Sequence, residues 1–302
     1  MVSMEPLTAE NIQTMPVYDW EVAAIGDAAP PLTYVVTERS IADYCEAVRN
    51  FNPRYRDGLA PPTYVYKCAP HRRNEVMHAR GYASPEEKAD RATPFAKSEV
   101  SFYKPICLGD EITSTVRLED MYERRGSQFM TWRTRATDAA GALVAEYMYT
   151  IIWRQGPPSG ARTDVAPQPA VSKEPLPTIT KAESQEAIDS YAELTRVRLR
   201  VGQSLHSDGA FAKRTIFGGT VNMGVATAAY CSEVLELAFG PEALLRAGAR
   251  LEFKGIRPVR AGDTISIGGH IVERSAHRAE CALTVHNQNN TLVGVASSTV
   301  VF

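Results

Sequence analysis

The sequence predicts an α+β protein built twice over: two antiparallel sheets, each wrapped around a central helix, packed as a pseudo-dimer within one chain. Three observations carry that expectation. A turn motif recurs, Lys104-Pro105-Ile106-Cys107-Leu108-Gly109-Asp110 echoed by Arg257-Pro258-Val259-Arg260-Ala261-Gly262-Asp263, at an offset of 153 residues (263 − 110 = 153). Each copy is flanked by segments with the two-residue alternation of strands. Between the copies, residues 156–178 hold six of the 19 prolines, the composition of a linker.

The elements follow in chain order. In the first half, taken as residues 1–155, the stretch 40–49 sets Ile41, Tyr44, Cys45 and Val48 at helical spacing. A second helix is expected from Pro61-Pro62-Thr63, since proline suits a first helical turn. Residues 71–93 are charged and have no mirror in the second half. They read as an insertion solvated over the surface, with a substrate lid or an oligomer contact as the functional alternatives. Strands are expected over 98–102, 112–118, 129–137 and 143–153, the last two joined by a turn at Asp138-Ala139-Ala140-Gly141. The second half, 179–302, repeats the plan with a helical stretch over 181–194 and a mostly apolar, buried helix. That helix is expected to start near Gly218-Gly219-Thr220 and to stop at Gly240-Pro241. Strands follow over 249–253, 264–272, 278–286 and 292–302, with a turn at Asn287-Gln288-Asn289-Asn290.

Composition narrows the function. With 302 residues, 44% of them apolar and 23% charged, the chain can bury a sizeable core. A net charge of −2 gives no global positive field, so no nucleic-acid partner is expected. No apolar run approaches the roughly 20 residues needed to cross a bilayer, and the start Met1-Val2-Ser3-Met4-Glu5 lacks a basic stretch followed by an apolar one. A cytoplasmic protein with no membrane partner is the expectation. The five cysteines, Cys45, Cys68, Cys107, Cys231 and Cys281, contain no CxxC pair and read as reduced thiols, without a metal site.

An apolar helix wrapped by an antiparallel sheet, repeated in tandem, is the plan of a double hotdog. From about Tyr34 onward the chain resembles the MaoC-like family of (R)-specific enoyl-CoA hydratases and 3-hydroxyacyl dehydratases. That family's second-half pattern reads Asp-x-Asn-Pro-x-His-x-Asp, a Phe-Gly-Gly-Pro-like turn, and a helix opening with Ala-His-Gly-Met. Here the segments are Val201-Gly202-Gln203-Ser204-Leu205-His206-Ser207-Asp208, Phe217-Gly218-Gly219-Thr220 and Val221-Asn222-Met223-Gly224. The first half reads Asn50-Phe51-Asn52-Pro53-Arg54-Tyr55-Arg56-Asp57, so Asn50 and Tyr55 fill its aspartate and histidine slots. That half is expected to be catalytically silent.

The resemblance implies a hydro-lyase acting on a coenzyme A or carrier-protein thioester, with no cofactor beyond the pantetheine of the substrate. Such chemistry needs a water deprotonated beside the β-carbon, a proton delivered to the α-carbon, and donors for the enolate oxygen. His206 matches the family's acid/base histidine, and Asp208 stands where it can orient a ring nitrogen or cap a helix. Gly219, with Gly218, matches the turn that supplies oxyanion donors. Val201 stands in the slot of the family's aspartate, and Glu193, Gln203 or Ser204 are the candidates to replace it. Arg198 and Arg200 can bind coenzyme A phosphates or a substrate carboxylate, or form a solvated strand edge. Phe217, Thr220 and Asn222 complete the substrate contacts, and Tyr55 either lends its hydroxyl across the pseudo-dimer or packs as an aromatic. An acyl-CoA thioesterase and an inactive thioester-binding subunit are the alternative readings. Exposed sheet edges suggest a homodimer or a higher homo-oligomer.

Overall fold

A computed structural model of the chain describes residues 8–157, 174–194 and 204–302. Among them ten strands form one antiparallel sheet: β1 (Ala28–Val35), β2 (Phe95–Phe102), β3 (Glu111–Arg124), β4 (Ser127–Thr137), β5 (Leu143–Arg154), β6 (Ile179–Ala182), β7 (Arg250–Gly255), β8 (Thr264–Arg274), β9 (Arg278–Asn287) and β10 (Leu292–Val301). The order β1-β3-β4-β5-β2-β7-β10-β9-β8-β6 is the same five-strand arrangement met twice, head to head across β2 and β7. This is the double hotdog.

The pseudo-twofold axis falls on one residue pair. Glu99 of β2 lies opposite Glu252 of β7, and these two are separated by the motif's own spacing (252 − 99 = 153). Like charges directly opposed across strands repel. Here Lys97 stands 3.5 Å and Lys254 2.6 Å from Glu252, while Arg250 pairs with Glu99. The recurring turn explains itself in the same way. Gly109 and Gly262 adopt φ of 88° and 93°, where a Cβ would be strained. The carboxylates of Asp110 and Asp263 each accept the backbone N–H three residues back, from Cys107 and Arg260, at 2.8 Å. Gly109 N–H also donates to Val36 (2.9 Å) and Gly262 N–H to Glu183 (2.7 Å), anchoring each turn to the end of the strand before it in space.

The helices are α1 (Ala9–Thr14), α2 (Glu38–Val48), α3 (Val65–Cys68), α4 (Arg73–Ala79), α5 (Gln185–Leu194), α6 (Gly209–Arg214) and α7 (Gly224–Phe239). Thr37 and Ser40 close a capping box at the start of α2. The long helix α7 lies against β2, β7, β8 and β10, with every residue from Val225 to Ser232 buried. That accounts for a sequence that is apolar all round.

Four expectations are corrected. First, α7 starts at Gly224 rather than at Gly218–Thr220, because Val221 and Asn222 are held extended: their N–H groups donate to Leu205 (3.2 Å) and Val259 (2.8 Å). Second, its first-half counterpart is a 3-10 turn over Pro62–Tyr64 running into the single turn of α3. Pro70 cannot continue it. Third, residues 181–194 are not helical throughout: β6 occupies Ile179–Ala182 and α5 begins at Gln185. Fourth, the insertion 71–93 is packed rather than solvated. Val76, Met77, Ala83 and Ser84 are wholly buried, and its polar side chains pair with one another, Arg73 with Glu86 and His78 with Glu87, both at 3.0 Å. Mutual pairing of this kind leaves no trace in hydropathy. The end of the proline-rich stretch also joins the sheet, since Leu176 N–H donates to Gly269 and Ile271 N–H to Glu174 on the edge of β8.

Candidate active site

His206 sits on the loop leading into α6, and its ring Nδ1 meets the Val221 carbonyl at 2.7 Å. A carbonyl oxygen can only accept, so Nδ1 carries the proton, and in the neutral ring the lone pair is on Nε2. The loop is held from several sides. The Ser204 hydroxyl accepts from the His206 N–H at 3.1 Å. The Gln185 amide donates to the His206 carbonyl at 2.7 Å, and its oxygen accepts from the Thr220 hydroxyl at 2.5 Å. Gln185 therefore ties the histidine loop to the glycine turn, a role that nothing in its sequence surroundings marked. Leu205, Phe211 and Val221 form a small buried cluster around this loop, with Phe217 and Ala92 packed on it.

The glycine turn and the helix start are two separate features. Gly218 needs its φ of 63°, and Gly219 lies beside the Arg260 guanidinium. The first residue of α7 comes later. Residues 221–224 lead straight from the carbonyl that holds His206 to the amino end of α7, whose N-cap residue Met223 contributes no side-chain cap. In that first turn Ala226 and Thr227 N–H donate back to the Met223 carbonyl at 3.0 and 3.4 Å, while helix geometry gives the N–H groups of Gly224 and Val225 no acceptor within the helix. A cap from a side chain would have crowded the place where a helix N-terminus receives negative charge. Gly224, and not Gly219, is thus the first residue of α7. A Cβ on Gly224 would lie 2.1 Å from the Phe95 ring, so only glycine fits there.

The remaining predicted residues divide. Asp208 caps α6, its Oδ1 accepting from Phe211 N–H at 2.9 Å, so its carboxylate is spent on the helix rather than on orienting His206. Asn222 is buried, donating to Glu183 at 2.9 Å while its oxygen accepts from Met223 N–H at 2.8 Å. It braces the helix start. Val201, Gln203, Arg198 and Arg200 lie outside the described residues. Glu193, at the end of α5, is exposed. Among the described residues no three of His, Cys, Asp and Glu gather as metal ligands.

Tyr55 corrects the idea of a hydroxyl lent to substrate. It is buried and donates to Glu236, a carboxylate of α7 that also accepts from Asn50 at 2.7 Å and from Ser232 at 2.8 Å. The two slots that hold aspartate and histidine in the family's motif have become, in this first half, a pair of donors closed on an internal carboxylate. Burial pushes the Glu236 carboxyl above the usual carboxylate range, against the three hydrogen bonds that favour its charged form. A cleft of about 290 Å³ opens instead between the halves, where Ala92, Pro94 and Trp153 face Phe211, Thr215 and Ile216, beside the cluster that surrounds His206.

The fold described is a tandem hotdog, and comparison with known proteins agrees. Residues 23–147 match the family described as FAS1-like, dehydratase domain region. A UPF0336 protein of Saccharopolyspora erythraea is 24% identical over 143 residues, covering 43% of this chain and 88% of its own. Among solved structures, a MaoC-like dehydratase superposes with a TM-score of 0.74 at 17% identity, covering 92% of this chain and 99% of that one. A Mycobacterium tuberculosis protein described as a double hotdog gives 0.64 at 14% identity, covering 93% and 97%. An oleoyl thioesterase assignment from Lactobacillus plantarum gives 0.56 at 10% identity, covering 93% and 97%. The first half thus matches the FAS1-like dehydratase region, and the chain has the double hotdog fold shared with MaoC-like dehydratases. Among the described residues no helix is long and apolar enough to cross a membrane.

Proposed function

We propose that the protein adds or removes water across the 2,3 bond of an acyl thioester carried by coenzyme A or by a carrier protein, with no metal or redox cofactor. One observation carries the reading. The Val221 carbonyl that fixes the tautomer of His206 lies three residues before Gly224, so one short segment sets the proton-transfer group and the helix donors relative to each other. In hydration, Nε2 of His206 takes a proton from water as its oxygen bonds to C3. The C2–C3 π electrons move toward the thioester, and the oxygen charge that develops meets the N–H groups at the start of α7. The imidazolium then returns the proton to C2, and the thioester bond is untouched throughout. Dehydration is the reverse.

The test is incubation with straight-chain, branched and dicarboxylic 2-enoyl-CoA thioesters, read by mass spectrometry. Gain of one water is the expected result. Release of free coenzyme A would assign a thioesterase instead, and no change across the panel would favour an inactive thioester-binding subunit. Replacing His206 with alanine is expected to lower kcat by about a hundredfold or more, with the fold retained by circular dichroism. Undiminished turnover would remove His206 from the reaction. Sedimentation at working concentration tests the accompanying expectation of a homodimer.

A further inference from the structure

Phe95 comes from the first half, at the start of β2, yet its ring rests on the first residue of the second half's central helix. Its Cδ1 lies 2.1 Å from where a Gly224 Cβ would stand and 3.4 Å from the corresponding point on Gly255. The ring is part of an aromatic row that crosses the seam between halves. It stacks on Phe253 of β7 at 6.0 Å and tilts against Tyr149 of β5 at 5.4 Å, and Tyr149 in turn stacks on His71 at 4.1 Å. At Gly224 a side chain is excluded by this ring, while at Gly255 a Cβ would meet it at an ordinary contact distance; glycine in a helix is otherwise costly.

We propose that Phe95 is the specificity-determining wall of the acyl site, limiting substrates to acyl groups short enough to end at its ring. The inference rests on the hydratase reading above, which places the thioester carbonyl at the start of α7. A chain anchored there meets a ring that is partly buried, stacked on Phe253 and tilted against Tyr149, so it cannot swing aside without losing those contacts. Shortening the side chain at 95 would open the apolar space over Gly224 and Gly255. Each further methylene of a longer acyl chain would then leave water, where the wild-type ring denies it room.

The experiment measures binding rather than turnover, using S-(2-oxobutyl)-, S-(2-oxooctyl)- and S-(2-oxododecyl)-coenzyme A titrated by calorimetry into wild type, Phe95→Leu and Phe95→Ala. The leucine variant is included in case alanine loosens the seam. Wild type is expected to bind the butyl analogue and to reject the dodecyl one. The variants should tighten the dodecyl analogue by about tenfold or more while holding the butyl analogue within about threefold. An unchanged ratio of dodecyl to butyl affinity in both variants, with the butyl analogue bound, overturns the role of Phe95 and leaves the hydratase reading standing. Failure of every analogue to bind any of the three proteins overturns both.

Discussion

Replacement of Glu236 with alanine is expected to destabilise the fold by about 3 kcal/mol or more, because it orphans several buried partners at once. The Tyr55 hydroxyl and the Asn50 amide reach α7 from the first half, and Ser232 meets the same carboxylate from one turn earlier on α7. All are buried, so water does not replace the lost acceptor without opening the interface between the halves. Glutamine at 236 keeps the shape and one acceptor, and should cost about 1 kcal/mol near neutral pH. The pH dependence separates charge from shape. Burial raises the Glu236 carboxyl in the folded protein, with Glu233 on the same helix adding repulsion, while in the unfolded chain it titrates near the ordinary value of about 4.3. A raised folded-state pKa means that the stabilising contribution is complete below the unfolded value and is lost as pH rises through the folded one. The advantage of wild type over Glu236→Gln, measured as the difference in urea midpoints, should therefore shrink from pH 5 to pH 8. A gap that widens over that range would show the carboxylate to be better solvated folded than unfolded, and the account of a plugged first-half site would fail.

The repeat was legible because it is enforced by backbone geometry: a glycine at positive φ and an aspartate closing the turn are needed twice, so they are written twice. The strands were legible for a similar reason, since one buried face imposes alternation. What the sequence hid was interaction at a distance. Residues 71–93 look like a solvated surface excursion until Arg73 is seen against Glu86 and His78 against Glu87. The start of α7 was misplaced because Gly218 and Gly219 signal a turn strongly. The tethering of Val221 and Asn222 to Leu205 and Val259, which delays the helix, depends on chain segments far apart in sequence. His206 was legible through its flanking pattern, whereas Gln185, which binds the His206 carbonyl from α5, and Phe95, which packs on Gly224 from the other half, were not. Of its two readings, Asp208 takes the capping one. A residue at a suggestive spacing proves to serve its own helix.

The second large effect is expected at Glu183, where stability and catalysis should fall together but by separable amounts. Its side chain is fully buried; it receives Arg49 at 2.6 Å and Asn222 at 2.9 Å, and Arg49 also donates to the Tyr230 hydroxyl at 2.7 Å. Arg49 comes from the first half in a left-handed conformation, φ 54°, which the chain adopts to end α2 and aim the guanidinium across the seam. Removing the carboxylate leaves that guanidinium largely buried without its anion, so Glu183→Ala should cost about 3–5 kcal/mol. The double variant with Arg49→Ala should cost markedly less than the two single losses added together, since the orphaned charge is then gone as well. Simple additivity would mean that the pair is not coupled. The catalytic consequence runs through Asn222, which braces the Met223 N–H immediately before α7. Glu183→Gln retains volume and still accepts from Asn222 but cannot neutralise Arg49. Assayed well below its melting temperature, it should keep most of its activity, whereas Asn222→Ala should lower kcat by about tenfold with little change in KM. A loss confined to KM would place Asn222 in substrate binding rather than in setting the helix start that meets the developing charge.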